Sequence, residues 1–260
     1  MKAPNPIAFT IFNIDIRWYG ILISLGALLG TIIAYKRAPK HGIVPEDILD
    51  VILWALPMGI IGARMYYVIF SWQMYKSTPS EIFDIRSGGL AIHGGLIFGI
   101  SAAYLVCRRK KINFLEMTDL LIPSVALAQS IGRWGNFFNS EAYGTETDLP
   151  WAIIVNGRHV HPTFLYESLW CFALFFILIY ISKKRKFAGQ IFCLYGTLYS
   201  LERFFVEGLR TDSLMIGSLR QAQLISLFVF ILCLCLYLYF KKRGKNQNDE
   251  TWNNRTAKRR

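Results

Sequence analysis

The chain has 260 residues, of which 53% are hydrophobic and 18% charged, and its formal net charge is +12. Its apolar residues are grouped into blocks close to the roughly 20 residues that a helix needs to cross a bilayer. This composition is typical of an integral membrane protein and excludes an ordinary soluble enzyme. The positive charge does not indicate nucleic acid as a partner, because membrane topology and anionic lipid headgroups account for it.

Seven apolar blocks predict an all-α polytopic membrane protein with about seven transmembrane helices. The predicted spans are Trp18–Tyr35, Leu49–Trp72, Gly89–Cys107, Met117–Phe137, Phe164–Ser182, Ala188–Val206 and Ala222–Phe240. The fourth span is the weakest, because Asp119, Pro123 and Gln129 interrupt it. An arrangement of six spans without it therefore stays open.

Clusters of Lys and Arg predict how the spans are oriented. They follow the odd-numbered spans, at positions 36–40, 108–111, 183–186 and 241–260. Because basic loops stay in the cytoplasm, we expect these segments inside and the N-terminus outside. Residues 1–13 lack the pattern of a cleaved signal peptide, so the first span is expected to be an uncleaved anchor.

The sequence predicts one membrane domain over residues 1–240, with an extracytoplasmic insert at about 140–163. Within the insert, Trp151–Val155 has the composition of a strand, and Asn156-Gly157 is the usual dipeptide of a tight turn. We therefore expect a small β-hairpin outside the membrane. Residues 241–260 form a basic cytoplasmic tail, and its content of Asn, Asp and Lys predicts disorder.

The segment Gly132–Gly144 is the most informative part of the chain. It places Arg133, Asn136, Asn139 and Glu141 at the end of the fourth span. Its three glycines are expected to loosen the backbone. In lipid, charge and irregular backbone are tolerated only where they face protein or a water-filled cavity. We therefore expect a polar site at the membrane surface that can hold an anion, with Glu141 and Gly144 shaping the loop.

The sixth span ends with polar side chains on one helical face. Steps of four and three residues place Tyr195, Tyr199, Arg203, Glu207 and Arg210 together. A solvated i,i+4 ion pair of Arg203 with Glu207, worth a few tenths of a kcal/mol, is one interpretation. The positive-inside rule, however, predicts few arginines on the outer side, and a guanidinium can hold two phosphate oxygens. Arg133 and Arg203 are therefore expected to form an anion clamp.

Two further ionisable residues lie within predicted spans. His93, followed by two glycines, is either a structural hydrogen-bonding group or a base that accepts a proton at neutral pH. Arg64 lies inside the second span, where an unpaired arginine costs about 2.5–3.5 kcal/mol on insertion scales. It is expected to pair with Asp119 or with a carboxylate of the sixth span, and structural and functional roles are equally open.

Several familiar kinds of site have no support in the sequence. His159 and His161 lie close together, but no third metal ligand is near them in the sequence. Thr163 is instead expected to cap the fifth span. The sequence has no zinc-binding His-Glu-x-x-His helix, no Gly-x-Ser-x-Gly nucleophile elbow and no P-loop.

The motifs resemble those of the bacterial prolipoprotein diacylglyceryl transferases. The matching blocks are Arg17–Gly20, His93–Gly95, Gly132–Gly144, His161–Glu167 and Glu202–Arg210. The resemblance implies a multi-pass enzyme of the bacterial plasma (inner) membrane, with its active site toward the extracytoplasmic leaflet. Such enzymes transfer the diacylglyceryl group of phosphatidylglycerol to the thiol of the lipobox cysteine in a prolipoprotein signal peptide. A thioether forms and glycerol phosphate leaves, as the first step of lipoprotein maturation, and no metal or soluble cofactor is implied.

The resemblance also implies roles for individual residues. The implied catalytic residues are His93, Arg133 and Arg203, and the implied substrate-binding residues are Arg133, Asn136, Tyr19, Glu141, Gly144, Glu207 and Arg210. The clamp would stabilise charge on the leaving phosphate. His93 would accept the thiol proton, although arginines near the thiol could lower its pKa without a base.

Two other functions explain the composition less well. A lipid or anion transporter would also carry arginines in broken helices, but it predicts inverted repeats and polar residues at mid-span. The sequence shows no such repeat, and its polar residues cluster at the outer ends of the spans. A purely structural membrane protein gives no reason for several arginines on the outer side.

Overall fold

The structure is a computed structural model that describes residues 5–85, 88–211 and 214–257, with side chains as far as Arg243. The chain forms two compact units, and the single membrane domain over residues 1–240 stays a prediction. The first unit comprises residues 1–33 and 118–260, and the second comprises residues 34–117.

Most of the described chain is α-helical. The helices are α1 (Trp18–Arg37), α2 (Pro45–Phe70), α3 (Trp72–Tyr75), α4 (Ile92–Arg109), α5 (Phe114–Phe138), α6 (Thr163–Ser182), α7 (Gln190–Leu209) and α8 (Gln221–Ala257). Two short 3-10 segments cover Ala38–His41 and Pro79–Phe83. α8 thus includes most of the tail for which composition predicts disorder, and residues 258–260 lie outside the described part.

Five of these helices are long and apolar enough to cross a membrane: α1, α2, α5, α6 and α8 as far as Arg243. They include α5, the helix that corresponds to the weakest predicted span. α4 and α7 overlap the other two predicted spans but fall outside this group. The reason is their polar content, because α4 carries His93 and two terminal arginines and α7 carries three charged side chains.

Three antiparallel hairpins lie between or before the helices. They pair β1 (Ile7–Ile11) with β2 (Ile14–Arg17), β3 (Ile153–Val155) with β4 (Arg158–Val160), and β5 (Met215–Ile216) with β6 (Leu219–Arg220). The predicted hairpin of the insert is confirmed, and its turn residues Asn156 and Gly157 have φ of 51° and 78°. The other two hairpins were not predicted, because their strands are short and lie next to apolar blocks that read as helix.

In the first unit, α5 packs against α1, α6 and the insert hairpin. A Cβ added to Gly26 of α1 would lie 3.1 Å from the backbone of Ala128, so glycine permits this close approach. Trp134 of α5 donates its indole N–H to the Ser168 hydroxyl of α6 at 3.1 Å. The end of α5, the start of α6 and the insert hairpin share an apolar core of Phe137, Ile153, Val155, Val160 and Phe164.

Asp119, the residue that weakens the fourth predicted span, caps another helix. Its fully buried carboxylate accepts hydrogen bonds from the backbone N–H groups of Gly189 and Phe192, at 2.8 and 2.9 Å. These groups lie at the start of α7, where N–H groups have no partner within the helix. Arg185 Nη1 completes the arrangement at 3.2 Å. Asp119 therefore pairs with Arg185, so the expected pairing with Arg64 is wrong.

In the second unit, α2 and α4 pack with their backbones close together. A Cβ on Gly94 would lie 2.2 Å from the carbonyl oxygen of Gly62, so no larger residue fits there. After the end of α4, Lys110 Nζ lies 2.7 Å from Asp47 and 2.5 Å from Asp50 of α2. Its hydrogen bonds to these carboxylates, Asp47 first, raise the pKa of Lys110.

Candidate active site

Two arginines and one glutamate from three helices meet in the first unit. Arg133 of α5 pairs through Nε with Glu167 of α6, and Arg203 of α7 approaches the other carboxylate oxygen with Nη1 at 2.5 Å. The side chain of Glu167 is only 2% exposed, whereas those of Arg133 and Arg203 are 20% and 18% exposed. The two arginines of the expected clamp therefore come together, with a carboxylate between them.

The ion-pair network continues along α7. Arg203 Nη2 lies 2.6 Å from Glu207 Oε2, and Arg210 Nε lies 3.9 Å from the same oxygen. The i,i+4 pair that the spacing predicts is thus present. It is not a solvated helix end, however, because Glu207 is buried.

Tyrosines and a glutamine support Arg133 from the side. Its Nη2 donates to the Tyr199 hydroxyl at 3.1 Å, and the Tyr199 ring stacks on Tyr195 with 5.5 Å between ring centroids. The Tyr195 hydroxyl donates to Gln129 Oε1 at 2.5 Å. Gln129, which in the sequence only interrupts an apolar span, therefore helps to hold the ring stack behind the arginine.

The network leaves donors available for a ligand. Arg133 uses Nε and Nη2, and Arg203 uses Nη1 and Nη2, so Arg133 Nη1 and Arg203 Nε have no partner among the described residues. With Arg210, three guanidiniums face the paired carboxylates of Glu167 and Glu207. The unengaged N–H groups of Arg133 and Arg203 are the donors that a phosphodiester oxygen could use.

Glu202 adds a buried carboxyl group beside this cluster. It is 7% exposed, and within the described part of the chain neither carboxyl oxygen has a hydrogen-bond partner. Its electrostatic neighbours include Glu167, Arg133 and Arg203. Buried polar atoms normally have partners, so this group marks the cluster as a functional candidate.

Asn136 lies one turn after Arg133 on α5, but its amide is directed to the loop. Asn136 Nδ2 donates to Glu141 Oε1 at 2.9 Å, and Asn139 Nδ2 donates to the same oxygen at 3.2 Å. Glu141 in turn donates its backbone N–H to the Asn136 carbonyl at 3.0 Å. Glu141 thus closes the loop onto the helix end, as expected, and it engages the amide that was expected to bind a headgroup.

The glycines of this segment act differently from the expectation. Gly132 and Gly135 lie inside α5, and a Cβ on Gly135 would lie 2.4 Å from the Tyr19 ring. The left-handed backbone positions are instead Ser140 and Ala142, with φ of 53° and 57°. The predicted loosening by glycine is therefore wrong, because these glycines make room for α1 and its half-exposed Tyr19.

Gly144 joins the loop to the end of α7. Its N–H donates to the His161 carbonyl at 2.9 Å, and it forms an isolated antiparallel bridge with Arg210. A Cβ on Gly144 would lie 2.6 Å from the His161 side chain. The Thr163 hydroxyl donates to the Ala142 carbonyl. The expected helix cap by Thr163 is thus wrong, since this hydroxyl holds the loop.

His161 lies next to a tyrosine hydroxyl, whereas His159 lies at the surface of the insert hairpin. Nδ1 of His161 lies 3.2 Å from the Tyr166 hydroxyl, which also accepts a hydrogen bond from the Trp151 indole at 2.9 Å. His159 lies on β4 and is exposed. The pairing of His161 with Tyr166 anchors the insert to the first turn of α6.

His93 belongs to the second unit. It is the second residue of α4, is exposed, and lies with its ring centroid 6.0 Å from that of Tyr66. The glycine that follows it, Gly94, packs against the backbone of Gly62 in α2. Its role as a base stays a prediction.

Arg64 also belongs to the second unit and has no carboxylate partner among the hydrogen bonds described. Its five N–H groups donate to the backbone carbonyls of Glu81, Ile82, Asp84, Gly88 and Gly89, at 2.6 to 3.0 Å. Its guanidinium carbon also lies 5.1 Å from the centre of the Tyr75 ring. Neither expected pairing of Arg64 is correct, and its role is to organise the segment between α3 and α4.

Sequence reasoning missed three members or supports of the cluster. In the sequence Glu167 stands out only as part of a motif, although a carboxylate inside a membrane span implies a cationic partner. Glu202 likewise stands out only as the first residue of a motif. Arg220, which donates to the carbonyls of Gly208 and Arg210 at 2.6 and 2.7 Å, gave no signal, because its partners are backbone atoms at the end of α7.

Comparison with known proteins gives one consistent result. The family model for prolipoprotein diacylglyceryl transferases matches residues 6–239. The chain is 56% identical to the phosphatidylglycerol–prolipoprotein diacylglyceryl transferase of Finegoldia magna, over 86% of this chain and 90% of the relative. It is 57% identical to the enzyme of Clostridioides difficile, over 85% of this chain and 89% of the relative. It is 48% identical to the enzyme of Clostridium kluyveri, over 93% of this chain and 98% of the relative.

Proposed function

Because the chain belongs to the prolipoprotein diacylglyceryl transferase family, we propose that its arginine cluster binds the phosphate of phosphatidylglycerol and promotes transfer of the diacylglyceryl group to a prolipoprotein thiol. The protein is a transferase of lipoprotein biosynthesis and a multi-pass membrane protein. The acceptor is the lipobox cysteine of the prolipoprotein signal peptide.

One observation carries this assignment. A single carboxylate, that of Glu167, contacts Arg133 and Arg203 at once, so the two guanidiniums are close enough for one small anion to contact both. A phosphodiester would bind beside Glu167 and use the unengaged N–H groups of the two arginines. Planar guanidiniums suit this role because they present several N–H groups in fixed directions.

The chemistry that the cluster would support is a displacement at carbon. The thiol sulfur attacks C3 of the diacylated glycerol, the carbon that carries the phosphate oxygen. The carbon–oxygen bond breaks, and both of its electrons leave with that oxygen. The thiol proton is transferred to a base or to the departing phosphate, so glycerol phosphate and a thioether result. Negative charge grows on the phosphate during this step, and guanidiniums already in place stabilise it more in the transition state than in the ground state.

Glu167 and Glu207 would act by positioning the arginines. Each buried carboxylate holds Arg203, and Glu167 also holds Arg133, so the guanidiniums need not reorganise when charge develops. Asn136, Glu141 and Gly144 would shape the mouth of the site through the loop they close. Tyr19, half-exposed beside Gly135, is proposed to contact the lipid headgroup.

His93 is proposed as the base that accepts the thiol proton. A free cysteine thiol has a pKa near 8.5, so only a small part is thiolate at neutral pH. His93→Gln should therefore lose most activity at neutral pH and recover as the pH rises past the thiol pKa. An equal loss at every pH would contradict a base and indicate a structural role.

The topology proposed for the enzyme has seven spans. α4 and α7 would cross the bilayer in addition to the five helices that qualify by length and hydropathy. Their polar side chains would face protein or a water-filled cavity, as intramembrane charges require. The basic loops support a cytoplasmic C-terminus and a site facing the extracytoplasmic leaflet of the bacterial inner membrane.

Activity of the purified chain tests the proposed function directly. The protein in detergent micelles is given phosphatidylglycerol and a lipobox peptide, and both released glycerol phosphate and the mass of the peptide are measured. We expect equimolar glycerol phosphate and diacylglyceryl peptide. A peptide with Ser in place of the lipobox Cys is the control and should give neither product. Lipid binding or movement without glycerol phosphate release would support a transporter instead.

A further inference from the structure

The first hairpin of the chain has one apolar face that no described residue covers well. In the β1–β2 pairing, Ile11 lies opposite Ile14 and Phe9 lies opposite Ile16. Cross-strand partners point to the same side of a sheet, so these four residues form one face. Phe9, Ile11 and Ile14 are each about half exposed. On the other face, Thr10 donates to Asp15 at 2.7 Å.

The turn of this hairpin presents an aromatic residue in an unfavourable backbone conformation. Phe12 and Asn13 have φ of 48° and 61°, a two-residue turn that normally uses Asn, Asp or Gly. A bulky residue at positive φ is rare. Phe12 is nevertheless 94% exposed, so contacts within the described part of the chain do not compensate for the strain. Contact with an apolar environment outside the protein would compensate for that strain.

The insert hairpin provides a matched contrast. Its two-residue turn begins at Asn156 with φ of 51°, almost the same conformation, but the residue there is polar. Its apolar side chains, Ile153, Val155 and Val160, are buried against α5 and α6. One hairpin therefore places its apolar face on protein, while the other leaves it open.

The position of the first hairpin identifies what covers it. β2 ends at Arg17, and α1 begins at the next residue, Trp18, so no linker separates the hairpin from a helix that can span the membrane. Only 17% of the most apolar stretch of α1 is buried within the protein, so α1 itself presents apolar surface to lipid. The hairpin with the open face is thus directly joined, along the chain, to a helix whose apolar side chains are mostly not covered by protein. Trp18 is the kind of residue that lies at the bilayer interface.

We propose that the β1–β2 hairpin lies in the membrane interface, with its apolar face and Phe12 inserted among the lipids of the leaflet where α1 begins. The polar face with Thr10 and Asp15 then points to water. The hairpin fixes the depth of α1, whose residue Tyr19 packs against Gly135 of the arginine-bearing helix. This proposal does not depend on the chemistry assigned to the site.

Spin labels on single cysteines test the proposal in phosphatidylglycerol vesicles without peptide. The background is Cys235→Ser, because the other four cysteines are buried. Labels are placed at Phe12→Cys, Ile14→Cys and Asp15→Cys, with Asn156→Cys as the matched turn control. Collisions with oxygen, which concentrates in lipid, are compared with collisions with a water-soluble nickel chelate. The melting temperature of each variant shows that it is folded, and Ile11→Cys replaces any variant that is not.

We expect labels at positions 12 and 14 to collide with oxygen and to be several-fold less accessible to nickel than labels at positions 15 and 156. Equal nickel access at all four positions would overturn the proposal, because the hairpin would then lie in water. Protection of positions 12 and 14 from both reagents would also overturn it, since a second protein surface would be covering the face.

Discussion

The arginines within the helices of the two units have opposite kinds of partner. Arg64 donates all five N–H groups to neutral backbone carbonyls of one connecting segment. Arg133 and Arg203 pair with buried carboxylates and keep N–H groups that no described residue engages. A saturated arginine organises the chain, whereas an arginine with spare donors and a compensated charge can also bind an anion.

The largest effect is expected when the shared carboxylate of the cluster is removed. Glu167→Ala leaves two guanidiniums without their common partner, and breaking a buried ion pair from one side typically costs about 3–5 kcal/mol. The free energy of unfolding, measured by denaturation in micelles, should fall by that amount. Glu146→Ala breaks only the exposed pair with Arg158 and serves as the control. A similar small change in both variants would show that Glu167 is not the centre of the network.

Removing either arginine of the clamp should chiefly reduce catalysis. Arg133→Ala or Arg203→Ala should lower kcat/KM for thioether formation about 10²–10³-fold, equivalent to about 2.7–4 kcal/mol, as for loss of one donor to a developing charge. Arg158→Ala, at an exposed pair, is the control and should retain activity. Wild-type rates in a folded clamp variant would refute the phosphate assignment.

Arg64→Lys should separate structural from catalytic arginines. Lysine keeps the charge but has only three N–H donors, so it cannot reproduce five directed hydrogen bonds. The free energy of unfolding should fall by about 1.5–3 kcal/mol, the value of a hydrogen bond from a charged donor. Limited proteolysis between residues 81 and 89 should become faster. KM for phosphatidylglycerol should not change, and a selective rise in KM would place Arg64 in the lipid site.

The smallest effect is expected at Lys110, a cation paired in an exposed position. Its pKa is raised by Asp47 and Asp50, so the pair stabilises the folded state at neutral pH. That contribution should begin to be lost above about pH 10.4, the unfolded-state value, and disappear as the pH passes the folded-state pKa. Melting temperatures of the wild type and Lys110→Met should therefore converge at high pH. Lys111→Met is the neighbouring control, and a constant difference across the pH range would exclude the pairing.

Much of the cluster followed from residue type and spacing alone. The clamp of Arg133 and Arg203 is predicted because both lie at outer ends of apolar spans, where the positive-inside rule predicts few arginines, and because a guanidinium can hold two phosphate oxygens. The face of α7 followed from helical periodicity, and the insert hairpin followed from Asn156-Gly157. These inferences succeeded because they use local rules that hold before any tertiary contact forms.

Other features required the tertiary structure. Glu167 lies 34 residues from Arg133 and 36 from Arg203, and no local pattern shows that its two oxygens would each take one of them. Arg64 was assigned the wrong partners because backbone carbonyls, present at every residue, leave no trace in a sequence. Gly135 was assigned flexibility because a glycine in a turn and one in a helix contact look alike until the neighbouring ring is placed.

The sequence by itself determined that this chain enters a membrane, where its polar residues concentrate and which family it resembles, because hydropathy, charge and motif spacing are properties of neighbouring residues. Only the tertiary structure decided which arginine is saturated and which can still bind an anion. That distinction depends on the acceptors around each guanidinium, and in this protein those acceptors come from distant helices and from backbone atoms.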